Sequence, residues 1–201
     1  MSKKLLLIIT FPLAILFSQQ QSPTPDPKAT VTYGNTRFTI LTPRFIRLEW
    51  SEDGIFEDRA SLVFVNRRLP VPEYKKYISN DWLVIQTSTL TIRYKINSGK
   101  FKQDNLEIHI KIDNDSTIIW KPGMQNSLNL GGTVRTLDGV KGEIKLEPGL
   151  LSKDGWTLID DSSTPLFDNS EWNWVIPRPE KEFQDWYFIA YGSNYKMALN
   201  D

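Results

Sequence analysis

Arg44 to Trp50 reads RFIRLEW. Phe45, Arg47 and Glu49 alternate with Ile46, Leu48 and Trp50, which is the period of two that places successive side chains on opposite faces of a β-strand. Thr36 to Leu41 (TRFTIL) shows the same pattern, with Phe38 and Ile40 on one side. The alternation continues through Ser61 to Asn66, Tyr74 to Ser79, Trp82 to Thr87 and Thr89 to Lys95. Each strand is expected to have one dry and one wet face. Many short strands with no helical pattern between them predict an all-β protein, an antiparallel β-sandwich or barrel.

Turn residues fall between these runs. Asn80-Asp81 and Asn114-Asp115 each separate two strand-like segments, and Asp53-Gly54 follows the strand that ends at Trp50. All three suit tight connections. Near the C-terminus, Asp185 to Tyr191 (DWYFIAY) reads as a buried strand, and Ser193 to Asn200 as the start of a helix after Gly192.

The 201 residues carry 24 basic and 24 acidic side chains, so no net field draws the chain to nucleic acid or to an anionic membrane. Met1 to Gln21 has two lysines, an apolar run from Leu5 to Phe17 and then small and polar residues around Ser18. That is the layout of a signal peptide, with an apolar run shorter than the ~20 residues of a spanning helix. Residues 1–18 are therefore expected to be removed on export, leaving a periplasmic or secreted protein with no membrane attachment. Cysteine is absent, which excludes disulfides, lipid attachment through a thiol and thiolate metal sites. A proline-rich spacer is expected over residues 19–28, with folded structure starting near Ala29.

Function is sought first between Asn129 and Ser162, where six glycines, several carboxylates and Trp156 occur together. Gly131, Gly132, Gly139, Gly142, Gly149 and Gly155 read as successive turns joined by short apolar pieces, and such loops commonly carry sites. Gly131-Gly132-Thr133 lacks the lysine and helix of a phosphate-binding loop and reads as a tight turn. Asp160 and Asp161 are neighbours, so on an extended strand they face opposite ways and cannot share a proton; an Asx-turn suits them better. Calcium binding by Asp160, Asp161 and Asp168 would use a spacing without the regularity of a known loop. His109, the only histidine, lies in LEIHIKI on the face opposite Leu106, Ile108 and Ile110, pointing away from the core. One histidine without cysteine supports neither a Cys/His pair nor a common zinc site, and no cofactor is implied. Asn114-Asp115-Ser116 matches a glycosylation sequon.

Seven tryptophans remain. Trp50, Trp82 and Trp186 lie in apolar strand patterns and are expected in the core, whereas Trp156, Trp172 and Trp174 lie in loop-rich sequence and are better placed for contact with a ligand.

Four blocks, in order, resemble the N-terminal region of family-31 glycoside hydrolases, the alpha-glucosidase and alpha-xylosidase group. They are TPRFIRLEWSEDGIFEDRASLVFVNRRLPVP (Thr42 to Pro72), NLGGTVRTLDG (Asn129 to Gly139), PGLLSKDGWTLIDDS (Pro148 to Ser162) and DWYFIAYGSNYKMAL (Asp185 to Leu199). The resemblance implies a β-sandwich of the galactose-mutarotase-like type over residues 29–191. It further implies that residues 192–201 lead into a (β/α)8 barrel absent from this sequence. Members hydrolyse alpha-glycosidic bonds with retention, using two carboxylates ~5 to 5.5 Å apart on that barrel. Their Trp-x-Asp-Met-Asn-Glu type block has no counterpart here, so no catalytic residue carries over and the chain alone is expected to be inactive.

The resemblance assigns one contribution to the substrate site. Ser152 to Asp154 is similar to the Ser-Arg-Asp of a family loop that reaches the barrel mouth, which makes Asp154 the candidate acceptor of sugar hydroxyls and Trp156 a candidate wall of the same pocket. An ionised carboxylate can accept two hydroxyl hydrogen bonds, as a vicinal diol requires. The expected partners are an alpha-linked oligosaccharide and the chain's own C-terminal barrel. The alternative is a stand-alone carbohydrate-binding or scaffold sandwich, whereas a lone mutarotase is poorly served by a single outward-facing histidine.

Overall fold

In the computed structural model, the described residues are 21–111, 116–132, 139, 141–143, 146–172 and 174–201. The signal-peptide segment, the Asn114-Asp115 turn with most of its sequon, and Thr133 lie outside them. The molecule is an all-β antiparallel sandwich, as the alternation predicts.

The first sheet has five antiparallel strands. In spatial order they are β1 (Thr30–Tyr33), β2 (Thr36–Thr42), β3 (Phe45–Ser51), β12 (Phe183–Ile189) and β9 (Thr157–Asp160). The second is a meander of β4 (Lys75–Ser79), β5 (Trp82–Gln86), β6 (Leu90–Lys95), β7 (Leu106–Lys111) and β8 (Thr117–Trp120). A small hairpin pairs β10 (Leu166–Phe167) with β11 (Val175–Ile176), and a short helix α1 spans Tyr195–Asn200 with Asn194 as its N-cap.

The core is built from the dry faces that the alternation marks. Phe38 and Ile40 of β2, Ile46, Leu48 and Trp50 of β3 and Phe188 of β12 belong to the same buried cluster as Ile85, Ile92, Leu106, Ile108, Ile110 and Trp120 of the second sheet. Trp186 packs against that cluster from the edge. Asn80 and Asp81 both have positive φ, 49° and 63°, as a two-residue hairpin between β4 and β5 demands, and Asn and Asp tolerate that region better than other residues with a Cβ.

Three expectations change. Ser61 to Asn66 forms no strand: Ser61 makes a single bridge to Leu166, and Phe64 instead stacks on Tyr187 with ring centroids 3.4 Å apart. The hydrogen-bonded structure also begins before Ala29. Ser22 accepts from the Arg67 amide at 2.7 Å and donates its own amide to Asn66 Oδ1 at 3.1 Å.

The third change concerns the first sheet's second face, which is not wet. Arg47 and Tyr187 are completely buried and Glu49 and Asp185 nearly so, because the segments after β3 and β9 fold across them. Unpaired, such groups would cost several kcal/mol each. All are paired, although Arg47 Nη1 has no hydrogen-bond partner among the described residues. Arg47 donates from Nε and Nη2 to Asp185 at 2.7 and 2.8 Å, and Arg37 from Nε and Nη2 to Glu49 at 2.7 and 2.9 Å. The covering segments supply the remaining partners: Glu57 O accepts from Arg47, Asp58 from Arg37, and Arg178 bridges Asp161 and Asp185 at 2.7 and 3.0 Å.

Candidate functional site

Asp154 sits at the tip of a loop fastened by asparagines. Asn126 donates to the Trp156 carbonyl at 2.9 Å and accepts from Ser152 Oγ at 2.5 Å. Asn129 Oδ1 accepts from the amides of Gly131 and Gly149, and its Nδ2 donates to the Gly149 carbonyl. The backbones of 128–132 and 147–153 then exchange further hydrogen bonds, among them Leu130 N to Leu151 O and Lys153 N to Leu128 O. This apposition explains two of the glycines. A Cβ on Gly149 would lie 2.2 Å from the Gly131 carbonyl oxygen, and Gly131 itself has a φ of 75°.

Within this frame Asp154 Oδ2 accepts from the Leu128 amide at 2.9 Å, and the Asp154 amide donates to Ser152 Oγ at 3.0 Å. Among the described residues Oδ1 has no hydrogen-bond donor, and the residue is partly buried. The carboxylate is therefore positioned by one oxygen and available through the other.

Trp156 lies close in sequence but not on the surface. It is 5% exposed, and its ring packs against Trp120 and Phe188 at centroid distances of 6.1 and 6.2 Å. The expectation of a solvent-facing contact is corrected for this residue: the start of β9 turns its ring into the sandwich. Trp172 and Trp174 are 84% and 71% exposed, as expected of contact candidates.

The Asp154 loop borders an apolar groove of about 280 Å³, lined by Phe45, Val63, Phe64, Val65, Leu150 and Leu199 among others. Val63, Val65, Leu150 and Leu199 are each about half or more exposed. The groove and the loop share Leu150 and meet beside Tyr191, whose hydroxyl pairs with Thr42 and Asp201. Burial, with Asp201 adding to it, pushes the Tyr191 hydroxyl above its ordinary value, so it remains a neutral donor at physiological pH.

A second concavity opens at the far end of β3 and β12. It is a cleft of about 260 Å³ with Trp50, Ile55, Phe56 and Phe183 on its walls and Glu57, Arg59, Lys181 and Asp185 among its polar residues. Its cations are already engaged: Arg59 forks onto Glu57 at 2.8 and 2.7 Å, and Lys181 donates to Asp53 and to the Ile55 carbonyl, each at 2.7 Å. Hydrogen bonds from Lys181, Ser51 and the Ile55 amide hold the Asp53 carboxyl well below its usual range. The sequence gives no hint of this cleft, because its walls come from two segments far apart in the chain, 49–59 and 178–185.

The carboxylates weighed for calcium are not brought together. Asp160 is exposed and accepts from the Ser162 amide in the expected Asx-turn, Asp161 is buried against Arg178, and Asp168 turns onto Ser170 and Trp174. Among the described residues no group of three or more potential ligands could hold a metal ion. His109 points outward from β7, 3.1 Å from Glu107. No described helix is long and apolar enough to cross a membrane.

No family model matches this chain, and no curated protein is similar to it at a significant level.

Proposed function

We propose that this chain is the N-terminal sandwich region of an exported retaining alpha-glycosidase. In this reading it supports a catalytic barrel and lends Asp154 to that barrel's sugar site, where alpha-linked oligosaccharides bind. The single observation that carries the reading is Asp154 itself: a partly exposed carboxylate, fixed through Oδ2 by the Leu128 amide, beside an apolar groove with nothing covering it among the described residues. Half-exposed Val63, Val65, Leu150 and Leu199 offer the apolar area that a neighbouring domain would bury. The chemistry would be the barrel's, and this chain's share is recognition. Oδ1 would accept a sugar hydroxyl while Oδ2 stays bound to the loop.

The gene beyond the codon for Asp201 tests the proposal. A continuous frame encoding a barrel with a Trp-x-Asp-Met-Asn-Glu type block is expected, and an authentic stop codon overturns the reading. In that longer protein Asp154→Asn should lower kcat/KM on an aryl alpha-glycoside by about ten- to a hundredfold, the loss expected for a hydrogen bond to a charged acceptor. An unchanged kcat/KM would remove Asp154 from the site.

A further inference from the structure

Trp172 and Trp174 are the two most exposed tryptophans, and they stand together at the tip of the hairpin formed by β10 and β11. Two large aromatic side chains left in water at one point are unusual, since each forgoes the burial that normally stabilises a fold. The tip is not loose. Asp168 Oδ1 accepts from the Ser170 amide, the Ser170 hydroxyl and the Trp174 amide at 3.2, 2.6 and 2.9 Å, while the Asp168 amide donates to the Trp174 carbonyl at 2.8 Å. Those bonds hold the Asp168 carboxyl below its ordinary range, the Ser170 hydroxyl contributing most.

The hairpin rises from the rim of the 260 Å³ cleft. On one side the Phe167 amide donates to the Ala60 carbonyl at 2.8 Å, and Ala60 directly follows Arg59 of the cleft wall. On the other side Ile176 ends β11, and the chain passes at once to Arg178 and Pro179, which also line the cleft. Both strands of the hairpin are therefore rooted beside residues of the aromatic-walled cleft.

Its charge selects among ligands. The segment from Asp168 to Glu182 carries Asp168, Glu171, Glu180 and Glu182, and its two cations, Arg178 and Lys181, are bound to carboxylates. Arg59 is likewise committed to Glu57. A phosphate backbone or an anionic lipid headgroup would meet no uncommitted cation here and several carboxylates. A neutral polyhydroxylated chain suits the surface, its rings' C–H faces against indoles and its hydroxyls toward Asp53, Glu57 and the engaged cations. The cleft is somewhat smaller than the roughly 300–1,000 Å³ of sites for drug-sized ligands, so it admits one ring-sized unit while the tryptophans hold the continuing chain.

We infer that the Trp172–Trp174 hairpin and the adjoining cleft form a binding site for a neutral polysaccharide, separate from Asp154. Separation follows from the strand: the cleft lies at the Phe183 end of β12 and the Asp154 loop beyond its Ile189 end, about 20 Å away at the usual rise per residue. The inference holds whether or not a barrel follows.

Affinity electrophoresis of the 201-residue chain through gels containing soluble starch, dextran or xyloglucan tests it. At least one of these neutral polymers should retard migration. Trp172→Ala with Trp174→Ala should weaken that binding at least about tenfold, the scale of losing an aromatic stacking platform. Ile55→Arg, at an exposed cleft side chain, should weaken it by a smaller factor, and Asp154→Asn should leave it unchanged. Failure of all three polymers to retard the chain overturns the inference, as does equal retardation of the double tryptophan variant. Uptake by phosphatidylcholine vesicles that the double variant abolishes, with no polymer binding, would replace it with a membrane contact. Loss of binding in Asp154→Asn would merge the two sites into one. Because both tryptophans are solvent-facing, the double variant should keep the parent thermal midpoint.

Discussion

The outward faces of the two sheets are built from similar residues and end in opposite environments. On the second sheet Arg93, Glu107 and Lys121, with His109 beside them, form a polar chain that meets water: Arg93 reaches Glu107 at 2.5 Å with its side chain about a third exposed. On the first sheet Arg37, Arg47, Glu49 and Asp185 form a comparable chain in which no side chain is more than 10% exposed. What differs is the connections. In the second sheet β4, β5 and β6 follow one another through connections of two and three residues, and Arg93, His109 and Lys121 stay partly exposed, whereas β3 and β9 are followed by long segments, 52–74 and 161–182, that lie across the first sheet. The buried charges are what those segments bind to, through Glu57, Asp58, Asp161 and Arg178. The same segments carry the cleft and the tryptophan hairpin, so the polar face of the first sheet is the foundation of that surface.

The largest effect should come from Arg47→Ala. It leaves Asp185 and Glu49 buried with their central partner removed, and breaking a buried pair costs about 3–5 kcal/mol. Urea unfolding measures this, and a loss below about 1 kcal/mol would mean that the buried network behaves like a surface one.

Asp185→Asn should follow, with a pH dependence that identifies its cause. Burial acts to raise the Asp185 carboxyl, but Arg47 and Arg178 outweigh it and hold the group below the ordinary carboxylate range. A carboxyl depressed in the folded state contributes stability above its unfolded value of about 3.9, and that contribution is lost as pH falls through the folded value. The stability gap between parent and variant should therefore be constant above about pH 5 and close below about pH 4. A gap that does not narrow in acid would assign the loss to packing.

Arg93→Ala on the second sheet should cost no more than about 1 kcal/mol and should matter less as salt is raised. His109→Ala should be smaller still, within about 0.5 kcal/mol, as for other surface positions. If either variant approached the cost of Arg47→Ala, the contrast between the faces would fail.

The same contrast explains what could be read from the sequence. Alternation located Phe38, Ile40, Ile46 and Leu48 because a dry face needs only local apolar spacing. It misjudged Arg47 and Glu49, since a charge destined for a buried partner, as Arg47 is for Asp185 138 residues away, looks no different from one destined for water. SLVFVN, residues 61–66, has strand composition but no ladder partner beyond the bridge at Ser61, so Phe64 is used for stacking on Tyr187. Turn residues in the loop region were legible because Gly149 and Gly131 touch backbone to backbone. The exposure of Trp156 was misjudged because its glycine-rich surroundings concealed that it leads directly into β9 and turns its ring to the core. The exposure of Trp172 and Trp174 was legible from the polar sequence around them. The cleft beside them was not legible, since residues 49–59 and 178–185 meet only through the sheet.

Amide hydrogen exchange in Arg178→Gln tests most directly whether the buried face holds the covering segments. That variant removes the charged tie from residues 161–182 to the sheet while leaving Arg47 on Asp185. The Phe167 and Asp168 amides, which anchor the hairpin, should exchange at least about tenfold faster than in the parent, beyond any change shared with the amides of β6 and β7. Acceleration by one common factor at all these amides, or none at Phe167 and Asp168, would contradict the account: the segments would then hold their places without the charges beneath them.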